Sequence, residues 1–406
     1  MCHQHTRISV HPSEFMGFSE GPHEGVAALD PGSIRAGRDA ARARRHGDPS
    51  IQTLGYMPQL DGLRAIAVIA VLVHHYVPGG LPEAANLGVK LFFVLSGFLI
   101  TGILLSAGEA VERVRGSRIV ALRNFYARRC LRIFPLYYFV VLVAVVLDVE
   151  PAREYAPSLL SYTLNLTMAA QGWFIEHFAH FWSLSIEEQF YLIWPWIVLL
   201  VPRRALIPAV AAMAALGPGY RLYLILGWEF FDLQTDGLAS YIFTLTAFDS
   251  LGLGSLLALL TRGTTEQDRR ITANVFLGAG LGITALLIVL NRYGNLRYAN
   301  LLFFDLASAS IFCWLITHAA RGFGGIPGRA LSWTPMRHVG KISYGVYVYH
   351  PLVPALLTAA AAMIGLEFQR YSWLGFGLAS TVTLLVASAS WSFMEKPLND
   401  LKRFVP

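Results

Sequence analysis

The sequence predicts an all-α integral membrane protein, a bundle of about ten transmembrane helices with both termini in the cytoplasm. Three observations lead there. Of the 406 residues, 55% are hydrophobic and 14% are charged, against about 25% charged in ordinary soluble domains. Charge this scarce cannot coat a soluble protein of this size, so the excess apolar surface needs lipid. Apolar segments long enough to span, or nearly so, lie near 63–79, 88–106, 133–149, 187–201, 205–226, 240–260, 274–290, 299–318, 342–364 and 372–394. Finally, the basic residues are distributed unevenly. With the N-terminus inside, roughly 26 fall on inner segments and about 6 on outer ones.

Taken in order, residues 1–55 mix Gly, Arg, His and Ser without periodicity and read as a disordered, basic cytoplasmic tail. Its arginines can touch anionic headgroups; alternatively, translation starts at Met57. No apolar h-region precedes the first span, so no cleavable signal peptide is expected. Residues 56–400 form the membrane domain and 401–406 a short cytoplasmic tail. The inner segments hold Arg35 to Arg45, the cluster Arg113 to Arg132, Arg203/Arg204, Arg269/Arg270, Arg337/Lys341 and Lys402/Arg403. The outer ones hold Lys90, Arg153, Arg221, Arg292, Arg297 and Arg370. The longest outer loop, 148–181, carries mainly acidic charge. Pro195 is expected to bend the fourth span, and Gly217, Pro218 and Gly219 to interrupt the fifth. The net charge of +6 is a loop property that fits membrane topology rather than a nucleic-acid partner. Cys2, Cys130 and Cys313 are far apart, with no CxxC, so no disulfide framework is expected. The sequence contains no GxSxG, Walker loop or HExxH, and no convincing metal spacing.

Ionisable groups inside spans are costly and usually functional. The first span reads LRAIAVIAVLVHHY from Leu63 to Tyr76. At about 100° per residue, His75 returns to within about 20° of Arg64, about 16 Å along the axis. His74 points about 100° away, as a packing neighbour would. A ligand with an anionic head and a long thin arm fits that gap; the competing reading makes Arg64 a snorkelling anchor. In FYARRCLRIFPLYY, Arg129 and Arg132 share a face. Beside Arg64 they would clamp phosphate, although basic residues at inner boundaries are ordinary.

In HFAHFWSLSIEEQFYLIWP, Ser185 and Glu188 read as a capping box for the fourth helix. That leaves Glu187 without a capping role, at the outer mouth beside His180, Trp182 and Ser183. A carboxylate there could orient an imidazole or bind a hydroxyl, and the aromatic–polar mixture suits sugars. Asp249 sits among small residues that permit close helix packing. His350 precedes a kinking Pro351, with Ser343 as a cap for the ninth helix; His350 reads equally as a hydrogen-bonded core histidine. Glu395 opposes the dipole of the last helix, which suggests an ion pair with an inner arginine.

Together, LDGLRAIAVIAVLVHHY, GVKLFFVLSGFLIT, FYARRCLRIFPLYY, FWSLSIEEQFYLIWP, ISYGVYVYHPL and MEKP resemble the acyltransferase-3 family of bacterial integral-membrane acyltransferases, over about residues 56–400. The resemblance implies ten core helices and transfer of an acyl group, usually acetyl, from cytoplasmic acyl-CoA. The acceptor it implies is a hydroxyl of a carbohydrate, lipid-linked glycan or glycosylated metabolite. The family's arginine–histidine pattern falls on Arg64 and His75, its RxxR pair on Arg129 and Arg132, and its SLxxExxFY motif on Ser183, Leu184, Glu187, Phe190 and Tyr191. Two departures stand out. Lys90 occupies a place where an acidic residue is common, and Asp249 lacks an arginine two residues ahead. No hydrolase-like domain follows the last helix, so a chain acting alone or with a separate partner is expected.

The resulting expectation is an O-acyltransferase of the bacterial cytoplasmic membrane. Arg64, Arg129 and Arg132 hold the CoA phosphates. His75 is general base or acyl carrier, and Glu187 is a second catalytic residue. Trp182, Ser183, His350 and Asp249 bind substrate or support the site. No permanently bound cofactor and no metal are expected; acyl-CoA is the donor substrate. The partners are acyl-CoA, a glycan or glycosylated acceptor and the bilayer. Two competitors remain: a proton-coupled transporter, which should show inverted repeats that the sequence lacks, and a non-catalytic scaffold.

Overall fold

A computed structural model describes residues 56–231, 238–294 and 297–405; the expected N-terminal tail lies outside them. The described residues are helical, with no strand among them. The long helices are α1 (Pro58–Tyr76), α2 (Pro82–Val114), α3 (Arg118–Val146), α4 (Phe181–Leu200), α5 (Arg203–Phe231), α6 (Phe248–Thr261), α7 (Glu266–Tyr293), α8 (Arg297–Arg321), α9 (Thr334–Tyr349), α10 (Leu352–Met363) and α11 (Trp373–Ser390). The expected apolar segments fall on these helices, except that 342–364 is divided between α9 and α10 and 240–260 begins before α6. Among the described residues seven helical stretches are long and apolar enough to cross a membrane, or eight when α9 and α10, bent by 62°, count as one span. The protein is an all-α membrane protein. Two expected spans fall short of that standard, α1 and α4. They carry Arg64, His74 and His75, and Glu187, Glu188 and Gln189. The residues singled out for chemistry are the ones that dilute the hydropathy.

α1 is the axis of the bundle. It packs on α2, α8, α9, α11 and the short helix Gly325–Ser332, and only Ile66 and Ile69 of its large apolar side chains are exposed. Small residues let its neighbours approach. Gly88 of α2 lies on the Ala67 carbonyl, Gly340 of α9 on the Asp61 carbonyl and Gly62 on the Leu331 carbonyl. The same device joins α2 to α6, where Gly97 meets the Leu251 carbonyl and Gly254 meets that of Val94. The outward faces are apolar, with Leu142, Leu192, Leu222, Val275 and Leu286 exposed as lipid contact demands.

The structure corrects several local expectations. α4 begins at Phe181, not near Ser185. The amides of Phe181 and Trp182 bond the carbonyls of Phe178 and Ala179, so the helix starts without a side-chain cap. Ser185 Oγ bonds the Phe181 carbonyl at 3.0 Å, so no capping box forms. Ser343 is buried mid-helix in α9 and caps nothing. α5 runs through Pro218 without a break, and Gly217 leaves room there for Asp249 of α6. Glu395 is buried in a single π-turn, Trp391–Glu395, and accepts from Ser390 Oγ at 2.9 Å. Among the described residues it forms no ion pair. The acidic loop after α3 folds back onto the bundle: Tyr162 stacks on Tyr137 with ring centroids 4.1 Å apart, and Gln189 of α4 holds the Tyr162 carbonyl at 2.8 Å.

Two charges expected at the outer face are instead buried. Lys90 Nζ lies 2.5 Å from Asp305, and Arg221 bridges Asp305 at 2.5 Å and Asp249 at 2.7 Å. The network ties α2, α5, α6 and α8, two cations against two anions. Lys90 therefore stands at a buried junction. Removing one member would leave an uncompensated buried charge, worth about 3–5 kcal/mol.

Candidate active site

The cluster of predicted cations is brought together. Arg64 of α1 and Arg129 and Arg132 of α3 line one cavity of about 290 Å³ with Ser96 of α2, Glu187 and Tyr191 of α4, and Tyr344 of α9. Aromatic faces hold the guanidiniums in place. Arg64 lies 5.5 Å from the Phe92 ring centroid, and Arg129 lies 5.6 and 5.8 Å from those of Phe125 and Tyr191. Among the described residues none of the three arginines is in an ion pair. Three acids line the same cavity, Asp61, Glu187 and Glu188. Glu187 accepts from Ser96 Oγ and, at 2.5 Å, from Tyr191 Oη, and Asp61 accepts from Tyr56 Oη at 2.6 Å. Arg64 Nε donates to the Gly340 carbonyl at 3.4 Å. With none of the three guanidiniums in an ion pair, the set suits a phosphate.

Glu187 thus stands with the arginines, not at the outer mouth with the histidines. This corrects its expected role as a partner of the His75 imidazole. With α4 starting at Phe181, Glu187 lies well inside the helix, and its carboxylate sets the Ser96 and Tyr191 hydroxyls on the arginine cavity.

Arg64 and Glu187 also line a waist of about 40 Å³, with Phe92, Ser183, Tyr344 and Tyr347. Val89 and Tyr347 carry its wall into a third cavity, of about 500 Å³, lined by His74, His75, His180, Trp182, Asn86 and Tyr241. Helix phase assigns His75 to the face of Arg64 and His74 to another, yet both histidines line this cavity. His74 and His75 have ring centroids 4.7 Å apart. The cavity covers the end of α1, so residues on two of its faces line it, and His74 is more than a remote packing neighbour.

His350 completes the cluster. Its ring lies 4.8 Å from that of His75 and 5.1 Å from that of His180, and it is fully buried. Proline chemistry places it. Pro351 and Pro354 have no N–H, so the carbonyls four residues earlier, on Tyr347 and His350, lose their helical donors. His350 Nδ1 takes the Tyr347 carbonyl at 2.6 Å, and Tyr76 Oη donates to the carbonyl of His350. His180 Nε2 takes the Val348 carbonyl at 3.2 Å. Carbonyls only accept, so His350 is the Nδ1–H tautomer and His180 the Nε2–H tautomer. Their other nitrogens, His350 Nε2 and His180 Nδ1, are buried without partners. Both rings beside the histidine cavity therefore carry a free lone pair.

Of the remaining expected residues, Ser183 meets Tyr347 Oη at 2.6 Å on the waist and Trp182 lines the histidine cavity. Asp249 lines none of these cavities; it belongs to the buried ion network and acts on the site only through packing. His180, Tyr347 and Ser96 complete the site without having been singled out as site residues. His180 alone carried a signal, its place beside Trp182 and Ser183. Among the described residues no group of His, Cys, Asp or Glu is disposed to hold a metal ion.

Residues 57–392 match the family model described as "Acyltransferase domain". The chain belongs to the acyltransferase-3 family. Curated relatives of this acyltransferase-3 chain include the "Putative peptidoglycan O-acetyltransferase YrhL" of Bacillus subtilis, 29% identical over 374 residues, covering 84% of this chain and 55% of the relative. The "Peptidoglycan O-acetyltransferase OatA" of Listeria monocytogenes is 30% identical over 368 residues, covering 84% and 56%. The "O-acetyltransferase OatA" of Staphylococcus aureus is 27% identical over 373 residues, covering 84% and 57%. The acyltransferase-3 chain thus spans about half the length of the curated relatives it matches. No solved structure matches it significantly.

Proposed function

We propose that the protein is a membrane O-acyltransferase that moves an acyl group, acetyl in the simplest case, from acyl-CoA to a carbohydrate hydroxyl. The observation that carries this reading is the adjacency of the arginine cavity, the waist and the histidine cavity, each of which shares wall residues with the next. The CoA phosphates sit on Arg64, Arg129 and Arg132, and the pantetheine arm threads the waist to bring the thioester to His75. The His75 imidazole removes the proton of the acceptor hydroxyl. The hydroxyl oxygen attacks the thioester carbon, the C–S bond breaks, and the CoA thiolate leaves and takes up the proton. The relatives' names, all O-acetyltransferases and two of them for peptidoglycan, favour a cell-envelope glycan as acceptor. Ten spans with both termini in the cytoplasm would put the donor inside and the acceptor outside the cytoplasmic membrane.

Membranes containing the protein should transfer radiolabel from acetyl-CoA to endogenous glycan. A transporter or scaffold would transfer none. A second expectation follows from the helix break. In Pro351→Ala the new backbone N–H competes with His350 Nδ1–H for the Tyr347 carbonyl. The turnover rate should fall about tenfold through the loosened ring orientation, with KM for acyl-CoA unchanged. An unaltered turnover rate would show that His350 does not orient His75.

A further inference from the structure

A fourth cavity, of about 780 Å³, opens beside the histidine cavity between α2, α5, α7 and α8. Glu83, Asn86 and Tyr241 line both, so the two chambers share a wall at the end of the bundle where α1 stops and α2 begins. The new chamber has two zones. Toward the bundle centre its wall is hydrocarbon: Leu224, Leu287, Ile288, Phe304 and Ile311. Toward the end of the bundle it is amide and hydroxyl. There Asn291 and Asn300 exchange amide hydrogen bonds of 3.2 and 3.1 Å across α7 and α8, and Asn86 faces them from α2.

Charge narrows the ligand. The charged residues on the wall are Glu83, Asp305 and Arg221. Arg221 and Asp305 belong to the balanced buried network with Lys90 and Asp249, so the charge that remains on the wall is that of Glu83, which disfavours a phosphate head. One acceptor atom faces this junction unsatisfied: Asn86 Oδ1 is buried without a partner. A buried acceptor of that kind wants a hydroxyl or N–H donor. Beside it the Tyr241 ring, 5.0 Å from that of Trp182, leads back toward the histidines and gives an aromatic face of the sort that stacks on sugar C–H groups.

We propose that this side chamber seats the acyl acceptor, and that the acceptor is a neutral hydroxylated head carried on a hydrocarbon chain. The hydrocarbon lies along α7 and α8, the head sits at Asn86, Asn291 and Asn300, and a head hydroxyl reaches past Tyr241 to the His75 cavity. This rests on the acyltransferase reading for the word acceptor. The binding of the amphiphile does not.

The test uses the full chain in nanodiscs and a decyl β-glucoside bearing a photoreactive diazirine in its alkyl chain. Peptides of α7 and α8 should carry the label. Decyl β-glucoside should displace it, whereas glucose and decyl phosphate at equal concentration should not. Leu287→Trp, which fills the hydrocarbon zone, should cut labelling about tenfold or more. Asn86→Ala should lower apparent affinity for the glucoside about tenfold, down to that of a sugar-free alkyl diazirine. His75→Ala should label as the wild type does. Labelling at α7 and α8 without any acyl transfer by the wild type would sink the enzymatic reading and leave the chamber standing. Label elsewhere, labelling indifferent to both Leu287→Trp and Asn86→Ala, or equal labelling by the sugar-free diazirine would overturn the chamber. So would displacement by decyl phosphate as effective as that by the glucoside.

Discussion

His75→Ala should lower acyl transfer by about 10²–10⁴-fold, the range a positioned general base supplies, while insertion and acyl-CoA binding should match those of the wild type. The expectation rests on geometry. His75 is the histidine that links the cluster, its ring within 5 Å of both His74 and His350, and its helix phase leads back to Arg64. The three arginines that would hold the donor lie on the other side of the waist, so donor binding should survive the substitution. Radiolabel transfer and a separate acyl-CoA binding isotherm read the two effects independently. Transfer within threefold of the wild type would remove His75 from the chemistry. Loss of acyl-CoA binding together with transfer would recast it as a structural residue.

The double variant Arg129→Ala, Arg132→Ala should weaken acyl-CoA binding about 10–100-fold or more, since each charge-assisted hydrogen bond to phosphate contributes about 1.5–3 kcal/mol. Turnover at saturating donor should change far less, because neither residue reaches the histidine cavity. The salt sensitivity of donor binding should fall in parallel. Titration of acyl-CoA into the purified protein at two ionic strengths measures both. A raised KM for the acceptor with unchanged donor affinity would place the phosphate clamp elsewhere.

How much of this was legible in the sequence follows from the range of each interaction. Arg64 and His75 are related by helix periodicity alone, and Arg129 and Arg132 by a one-turn spacing. The structure places the three arginines on one cavity and His75 on another. Pro351 likewise marked His350, because a proline changes backbone hydrogen bonding within four residues. Glu187 was misplaced because the start of α4 depends on how the preceding loop folds back, and the sequence signal at Ser185 and Glu188 imitates a cap. His74 was misjudged for another reason. Helix phase describes a wall along the axis, whereas this cavity sits over the helix end. The Lys90–Asp305–Arg221–Asp249 network was beyond reach. Its members come from four helices, and nothing local says which buried cation will meet which buried acid.

The waist has one more consequence. Cavities that approach from opposite ends of a single helix threaten the bilayer with a leak, and a cell that holds a voltage across its membrane cannot tolerate many. At about 40 Å³ the constriction is far smaller than the cavities of about 290 and 500 Å³ on either side, with room for only a few water molecules. The Arg64 guanidinium and the Glu187 carboxyl both line it. In the proposed reaction a pantetheine arm lying in the waist would displace that water, so the donor itself would plug the passage against ions while the two ends of the protein are at work.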